Sequence, residues 1–193
     1  TTKINIMSNL FYNKTSFNQN IGNWDVSNVT SMYAMFWNAS SFNQSLAYWD
    51  VRNVLIFNNM FTRATNFNQN INDWDVSKGT TMRGLFSYAS SFDQPIGNWD
   101  VSGVTNMKSM FKNASSFNQS IGNWDVSNMI HNINMFDDMF EGANAFPLSN
   151  QISLFNSVPT EPRNENMINS VFNTPNRNQT TINTPDRNQN INQ

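Results

Sequence analysis

The chain has 193 residues, a formal net charge of −2, 12% charged residues and no cysteine. A chain with this net charge lacks the excess of basic residues that nucleic-acid-binding proteins carry, and the same lack gives no support for binding to an anionic membrane. Without cysteine there is no disulfide framework or thiolate metal site in these residues. No apolar run approaches the roughly 20 residues that a membrane-spanning helix needs, so we expect no membrane span.

A Trp-Asp-Val tripeptide recurs through most of the chain at intervals of 25 residues. Its tryptophans are Trp24, Trp49, Trp74, Trp99 and Trp124. The same period carries two series of phenylalanines, one beginning at Phe17 and the other at Phe36. A strict period of this length is typical of a solenoid, in the range of about 20–29 residues found for leucine-rich repeats.

The segment Ile21, Trp24 and Val26 has the spacing of a leucine-rich-repeat strand. It predicts a parallel sheet of short strands. These strands should start near Ile21, Leu46, Ile71, Ile96 and Ile121. Alternation along a strand places the tryptophan and valine inside, so Trp24 and its four equivalents should be buried and stacked in register.

The following segment predicts a short helix on the opposite side of each unit. Val29, Met32, Met35, Phe36 and Ala39 are spaced i, i+3, i+6, i+7 and i+10, which is one face of a helix. Ser and Asn before this segment supply the residues that favour a turn and a helix N-cap. The predicted class is therefore an α/β, leucine-rich-repeat-like solenoid, with parallel strands on one face and short helices on the other.

The repeat domain is expected to span residues 1–158. The chain enters in the middle of a unit, and five full units follow. In the fifth unit a second Met-Phe pair, Met139-Phe140, follows Met135-Phe136 after four residues, about one helical turn. We expect Met135-Phe136 to be in register, and residues 147–158 to form a degenerate closing coil.

Residues 159–193 have a different composition. They contain an echoed decapeptide that begins Asn-Thr-Pro at residues 173 and 183, with few apolar side chains. Such a segment cannot bury a core of its own, and its prolines favour an extended path. The sequence predicts an extended C-terminal tail that lies as a strap on another subunit or a different protein.

The phrase FNQ-x-IGNWDVSNVT-x-M-x-x-MF-x-x-A-x-SF is similar to the repeat of BspA-like leucine-rich surface proteins. That repeat occurs in mycoplasma and Listeria surface lipoproteins, in protists and in large DNA viruses. The resemblance covers roughly residues 4–146. It implies a leucine-rich-repeat-like solenoid, surface display, and adhesion or protein binding. It implies no catalytic residues.

An aspartate follows each repeated tryptophan and should form a row on the exposed side of the units. Neighbouring carboxylates about 5 Å apart repel each other by nearly 1 kcal/mol even in water, so something must compensate. Hydrogen bonds from the following turn are the favoured explanation. A row of Ca²⁺ sites is the alternative, but no loop has the density of ligands typical of a calcium motif. These aspartates are Asp25, Asp50, Asp75, Asp100 and Asp125.

An Asn-Gln pair recurs once per unit from Asn18-Gln19 onward, with Asp93-Gln94 in the fourth unit, and these pairs should form side-chain ladders that satisfy loop backbone groups. The single histidine, His131, has no cysteine or second histidine with which to form a metal site or a triad. No acid–base pair stands out from the repeat. We therefore expect no enzyme activity, no catalytic residue, no metal and no cofactor.

Unit two carries the candidates for protein binding. Trp37 stands where the other units have polar residues, so its side chain should point outward. Tyr48 and Arg52 replace Asn23 and Ser27 of the first unit, and would share an exposed face with Asp50. Tyr and Arg are enriched in interface hot spots. Neutral drift between copies is the alternative explanation.

Two functions remain open from the sequence. One is a non-enzymatic repeat protein, at the cell surface or outside the cell, that mediates adhesion or binds host surface proteins. The other is a structural component of a larger assembly, such as a virion or surface layer, in which the tail straps neighbouring subunits.

Overall fold

The computed structural model describes residues 4–129, 132–147, 149–150 and 154. We call each 25-residue period a coil. Coils 1 to 5 are residues 4–28, 29–53, 54–78, 79–103 and 104–128, and coil 6 is residues 129–147. The elements are two 3₁₀ helices, η1 (Ser127–Met129) and η2 (Ile133–Phe136), and a helical backbone at residues 149, 150 and 154. Otherwise the described coils consist of turns, single β-bridges and residues without regular secondary structure.

Backbone hydrogen bonds join each coil to the next one at every second residue. In coil 2 the N–H groups of Met32, Ala34 and Phe36 donate to carbonyls of Ile56, Asn58 and Met60 in coil 3, at 2.8–2.9 Å. The same pattern joins the other neighbouring coils from Met7 to Glu141. The coils are therefore held in register by main-chain bonds that do not depend on side-chain identity.

The intervening N–H groups close tight turns inside the same coil. Met35 donates to the carbonyl of Met32, Trp37 to that of Ala34, and Ala39 to that of Phe36, at 3.0–3.2 Å. Two residues per coil, four apart, have positive φ, as at Ala34 (φ 51°) and Asn38 (φ 55°). We call this run of consecutive turns, residues 32–39 in coil 2, the turn segment.

The helix predicted for this segment is wrong, and turns replace it. An α-helix bonds every N–H to a carbonyl four residues back within the same segment. It would leave none for the adjacent coil. Left-handed backbone at two positions also interrupts the helix. The apolar spacing that suggested a helix still holds, because Met32, Met35 and Phe36 all point inward and are fully buried.

The strands predicted from Ile21, Leu46, Ile71, Ile96 and Ile121 do not form in the described coils. Each of these segments begins with a turn, in which the tryptophan N–H donates to the carbonyl three residues back. Parallel pairing occurs elsewhere, as single bridges that link Ile6, Ser31, Ile56 and Thr81 in succession. One residue of pairing per coil is too short to constitute a strand.

Columns of aromatic rings fill the interior. The rings of Phe36, Phe61, Phe86 and Phe111 stack along the coils with centroids 5.4–5.8 Å apart. A second column, which includes Phe42, lies beside the first, with Phe36 and Phe42 only 4.2 Å apart. The 25-residue period therefore places identical rings above one another, and each coil closes the core of its neighbour.

The repeated tryptophans form another inner column. Trp49, Trp74, Trp99 and Trp124 are 1–4% exposed. Each donates its indole N–H to the carbonyl of the residue 28 positions earlier, at 3.0–3.1 Å. The expected burial of Trp24 is wrong, since its side chain is 40% exposed. The four buried tryptophans bind a carbonyl of the preceding coil, and the described residues include no coil before coil 1 that could cover Trp24.

The four-residue insertion in coil 6 lies before Phe136 rather than after it. Phe140, not Phe136, continues the column of Phe111, with centroids 5.9 Å apart. Positive φ at Asp138 and Gly142 confirms this register, because these are the two left-handed positions of the turn segment. The extra residues accompany η1 and η2. The prediction that Met135-Phe136 sits in register is therefore wrong.

The expected closing coil, residues 147–158, lies largely outside the described residues, although Leu154 belongs to the buried core. The predicted tail at residues 159–193 lies wholly outside them. The leucine-rich-repeat-like class of the solenoid remains a prediction.

Replacing Trp99 by alanine should cost about 3–5 kcal/mol of unfolding free energy, because a large buried ring is removed. Trp99→Phe should lose less, about 1–3 kcal/mol, since it mainly leaves the Ile71 carbonyl without its indole donor. Trp24→Ala is the matched control and should cost the least, as this side chain is partly exposed. Equal losses at Trp24 and Trp99, measured by urea unfolding, would contradict this assignment.

Candidate functional site

The row of aspartates is held by the turn that follows it. Oδ1 of Asp75 accepts hydrogen bonds from the Ser77 hydroxyl at 2.6 Å and the Ser77 backbone N–H at 3.1 Å. Asp25 and Asp100 make the same pair of bonds to the serine two positions on. In coil 2 this serine is Arg52, which donates its backbone N–H and its Nε to Asp50. Local hydrogen bonds thus compensate the carboxylates, as the favoured explanation predicted.

These bonds favour the charged form of the carboxylate. Hydrogen bonds from the hydroxyl and backbone N–H of Ser77, with the nearby charges of Arg52 and Lys78, lower the pKa of Asp75. Ser127 lowers the pKa of Asp125 in the same way. The turn therefore lowers the pKa values of Asp75 and Asp125. An acid catalyst, in contrast, typically has a raised pKa.

The Asn-Gln pairs form the expected ladder. Oδ1 of Asn43 accepts hydrogen bonds from the backbone N–H of Asn68 at 3.0 Å and from Nε2 of Gln69 at 2.9 Å. Coils 1, 3 and 4 repeat this arrangement, with Asp93 replacing asparagine in coil 4. The ladder pairs loop N–H groups that form no turn or inter-coil backbone bond. Its role is structural.

Tyr48, Asp50 and Arg52 lie on the outside of coil 2. Tyr48 is 90% exposed, and no described residue makes a hydrogen bond or ring contact with it. Arg52 Nε lies 2.7 Å from Asp50 Oδ1, and both side chains are accessible to solvent. The hydrogen bond and charge of Asp50 raise the pKa of Arg52, which is charged at any physiological pH. The three residues offer a phenol and a fixed ion pair to solvent.

Trp37 is not part of this group. It lies half-buried in the turn segment and stacks on Tyr12 of coil 1, with centroids 5.9 Å apart. Trp37 was expected to point outward because its equivalents are polar. Polar residues at this position need not be exposed, however, since Thr62 and Ser87 are buried. Thr62 donates its hydroxyl to the Gly84 carbonyl at 2.6 Å, so a polar side chain at this position can be buried with its hydrogen bond made.

A contact between two side chains at the second positive-φ position of neighbouring turn segments was missed in the sequence analysis. Arg63 lies over the ring of Tyr88, 4.6 Å from its centroid, and both residues have positive φ. Their 25-residue spacing was visible in the sequence. However, a helical assignment of the segment gave no reason to place them together.

Within the described ranges, no three His, Cys, Asp or Glu side chains are grouped so that they could hold a metal ion. His131 lies outside these ranges. No helix in the described part of the chain is long and apolar enough to cross a membrane.

The coils define a repeat protein in which stacked 25-residue units share main-chain bonds and aromatic columns. The chain belongs to the family described as Mycoplasma protein of unknown function, DUF285, whose model matches residues 1–84, 44–155 and 69–184. These overlapping matches follow the repeat. No curated protein and no solved structure matches the chain.

The carboxylate–serine turns should make stability depend on pH. Since the folded pKa of Asp75 lies below its unfolded value, its stabilisation is present above about pH 4 and is lost as pH falls through the folded pKa. Asp75→Asn should lower the melting temperature at pH 7, and this difference should shrink toward pH 3. Ser77→Ala should show the same trend more weakly. A difference between Asp75→Asn and the wild type that is constant from pH 7 to pH 3 would exclude this role.

The ladder should need an acceptor rather than a charge at Asp93. Oδ1 of Asp93 accepts bonds from the N–H of Asn118 and Nε2 of Gln119. Asp93→Ala should therefore cost about 1–3 kcal/mol, because it leaves these donors unpaired. Asp93→Asn retains the acceptor and should be close to neutral. Thermal unfolding of both variants tests this, and a loss with asparagine as large as with alanine would show that the charge matters instead.

Proposed function

We propose that this chain is a non-enzymatic, surface-displayed repeat protein that binds another protein through Tyr48, Asp50 and Arg52 on the outside of coil 2. The observation that carries the proposal is Tyr48, an aromatic side chain that is 90% exposed, whereas the other described rings are largely packed in columns. A BspA-like leucine-rich-repeat architecture is part of the same proposal, supported by the repeat phrase and the family match.

Comparison between the coils supports a specific role for these positions. Asn23, Asp73, Asn98 and Asn123 stand at the position of Tyr48 in the other coils. Serine stands at the position of Arg52, where it donates to the aspartate. Stacking therefore requires neither Tyr48 nor Arg52. Their only described contact, the Arg52–Asp50 pair, fixes the guanidinium beside the phenol.

The chemistry of this patch suits a protein partner. Tyr supplies a rigid ring with a polar end and loses little conformational entropy when it is covered. The guanidinium of Arg52 keeps free donors after one bond to Asp50, so it can bind a carboxylate or carbonyl of the partner. A surface ion pair contributes little to stability, about 0–1 kcal/mol, so binding is the better reason for its presence.

The test uses changes that the repeat already tolerates. Tyr48→Asn with Arg52→Ser converts the patch to the form of coil 1. The double variant should keep the wild-type melting temperature and lose binding by about tenfold or more to the cell-surface or matrix protein that the wild type binds. Biolayer interferometry on a panel of such purified proteins provides the measurement.

The matched control changes exposed residues of coil 3, Asp73→Asn with Lys78→Asn, and should leave binding unchanged. Equal loss in both double variants, or full binding after removal of Tyr48 and Arg52, would reject the patch. Surface display is tested separately, by labelling of the protein on intact cells of the organism that makes it. Labelling only after lysis would reject display without bearing on the patch.

A further inference from the structure

The N-terminal end of the stack presents an open face. We define the end face as the side chains of Ile4, Leu10 and Trp24 with the carbonyl edge of residues 6–12. These side chains are 63%, 46% and 40% exposed, whereas their equivalents in the middle coils are almost wholly buried. A groove of about 510 Å³ lies along this face, lined in part by Ile6 and Met7.

The face also has main-chain acceptors that no described residue pairs. In coil 2 the carbonyls of Ser31, Tyr33, Met35 and Trp37 accept N–H groups of coil 1 at 2.7–2.9 Å. The equivalent carbonyls in coil 1 accept no hydrogen bond from any described residue. They belong to Ile6, Ser8, Leu10 and Tyr12. Among the described residues, the Trp24 indole N–H likewise has no carbonyl of the kind that its four equivalents bind.

The end face is therefore one half of the coil–coil interface that repeats through the protein. It needs an occupant that offers N–H donors at every second residue, apolar side chains opposite Ile4 and Leu10, and one carbonyl for Trp24. A coil of the same 25-residue type has all three. We propose that the end face receives one further coil of this repeat, supplied by the same polypeptide on the N-terminal side of coil 1.

A second copy of the chain fits this face less well. Two end faces brought together would place the acceptor carbonyls of one turn segment against those of the other, so the inter-coil bonds of the turn segments could not form. The opposite end of a second copy is also covered, since Phe140 is 4% exposed and Phe146 fully buried in the same core as Leu154. Continuity with the existing interface thus favours a coil in the same chain.

The experiment adds the proposed coil. A copy of residues 76–100, fused directly before Thr1, continues the period, so the copy of Ile96 falls at the position of the missing acceptor for Trp24. The control fusion carries the same 25 residues in shuffled order. Hydrogen exchange of the Trp24 indole N–H, assigned in the NMR spectrum by its loss in Trp24→Phe, reports on the new bond.

In the true fusion, exchange at Trp24 should slow by about tenfold or more. Trp24→Ala should then lower the melting temperature as much as Trp99→Ala does. In the shuffled fusion, both properties should match those of the unfused chain. Unchanged exchange in the true fusion, or protection by the shuffled copy, would overturn the proposal.

The unfused chain tests whether a second copy of the chain covers the end face instead. Sedimentation velocity should show a monomer, with Trp24 exchange independent of concentration. A dimer in which Trp24 becomes protected as concentration rises would overturn the choice of occupant in favour of a second copy. Neither result depends on Tyr48 or Arg52, so this proposal and the proposed binding function can fail separately.

Discussion

The structure depends on the division of backbone N–H groups between two uses. In coil 2, Met32, Ala34, Phe36 and Asn38 donate to the next coil, and the residues between them close turns within their own coil. This division requires left-handed backbone twice per coil, at a cost of about 1–3 kcal/mol for each residue other than glycine. The cost is offset because unpaired N–H groups in the interior would each cost a similar amount. Columns of rings, the amide ladder and the tryptophan bonds all follow from the register that these main-chain bonds set.

The sequence predicted the period and most buried positions, but not the backbone between them. Met32, Met35, Phe36 and Ala39 are buried as expected, because an inward spacing near three and four residues fits consecutive turns as well as a helix. The distinguishing signal is asparagine at left-handed positions, as at Asn38 and Asn113, since asparagine tolerates positive φ. This signal is diluted where alanine, arginine and tyrosine occupy the same columns. Burial of Trp24 could not be judged from its own repeat, because the covering group comes from a neighbouring coil.

The outer row of aspartates and the amide ladder were predictable, because their bonds are either local or fixed by the 25-residue period. Tyr48, Asp50 and Arg52 could be placed outside for the same reason. Trp37 shows the limit of this reasoning. Its equivalents are polar, yet Thr62 at that position is buried and bonded to the Gly84 carbonyl. Polarity therefore indicates exposure only where no backbone acceptor lies within reach, and that depends on the fold.

The inter-coil bonds of the turn segments have a direction, and this restricts how the protein can be extended or joined. Each turn segment donates toward the next coil and accepts from the previous one, so the two sides of a coil are chemically different. Pairing through the bonds of the turn segment must therefore join a donor side to an acceptor side, in the same sense along the described stack. Symmetric pairing of two identical ends cannot reproduce these turn-segment bonds. The outward side chains are not constrained by these stacking bonds, and the coils differ in them.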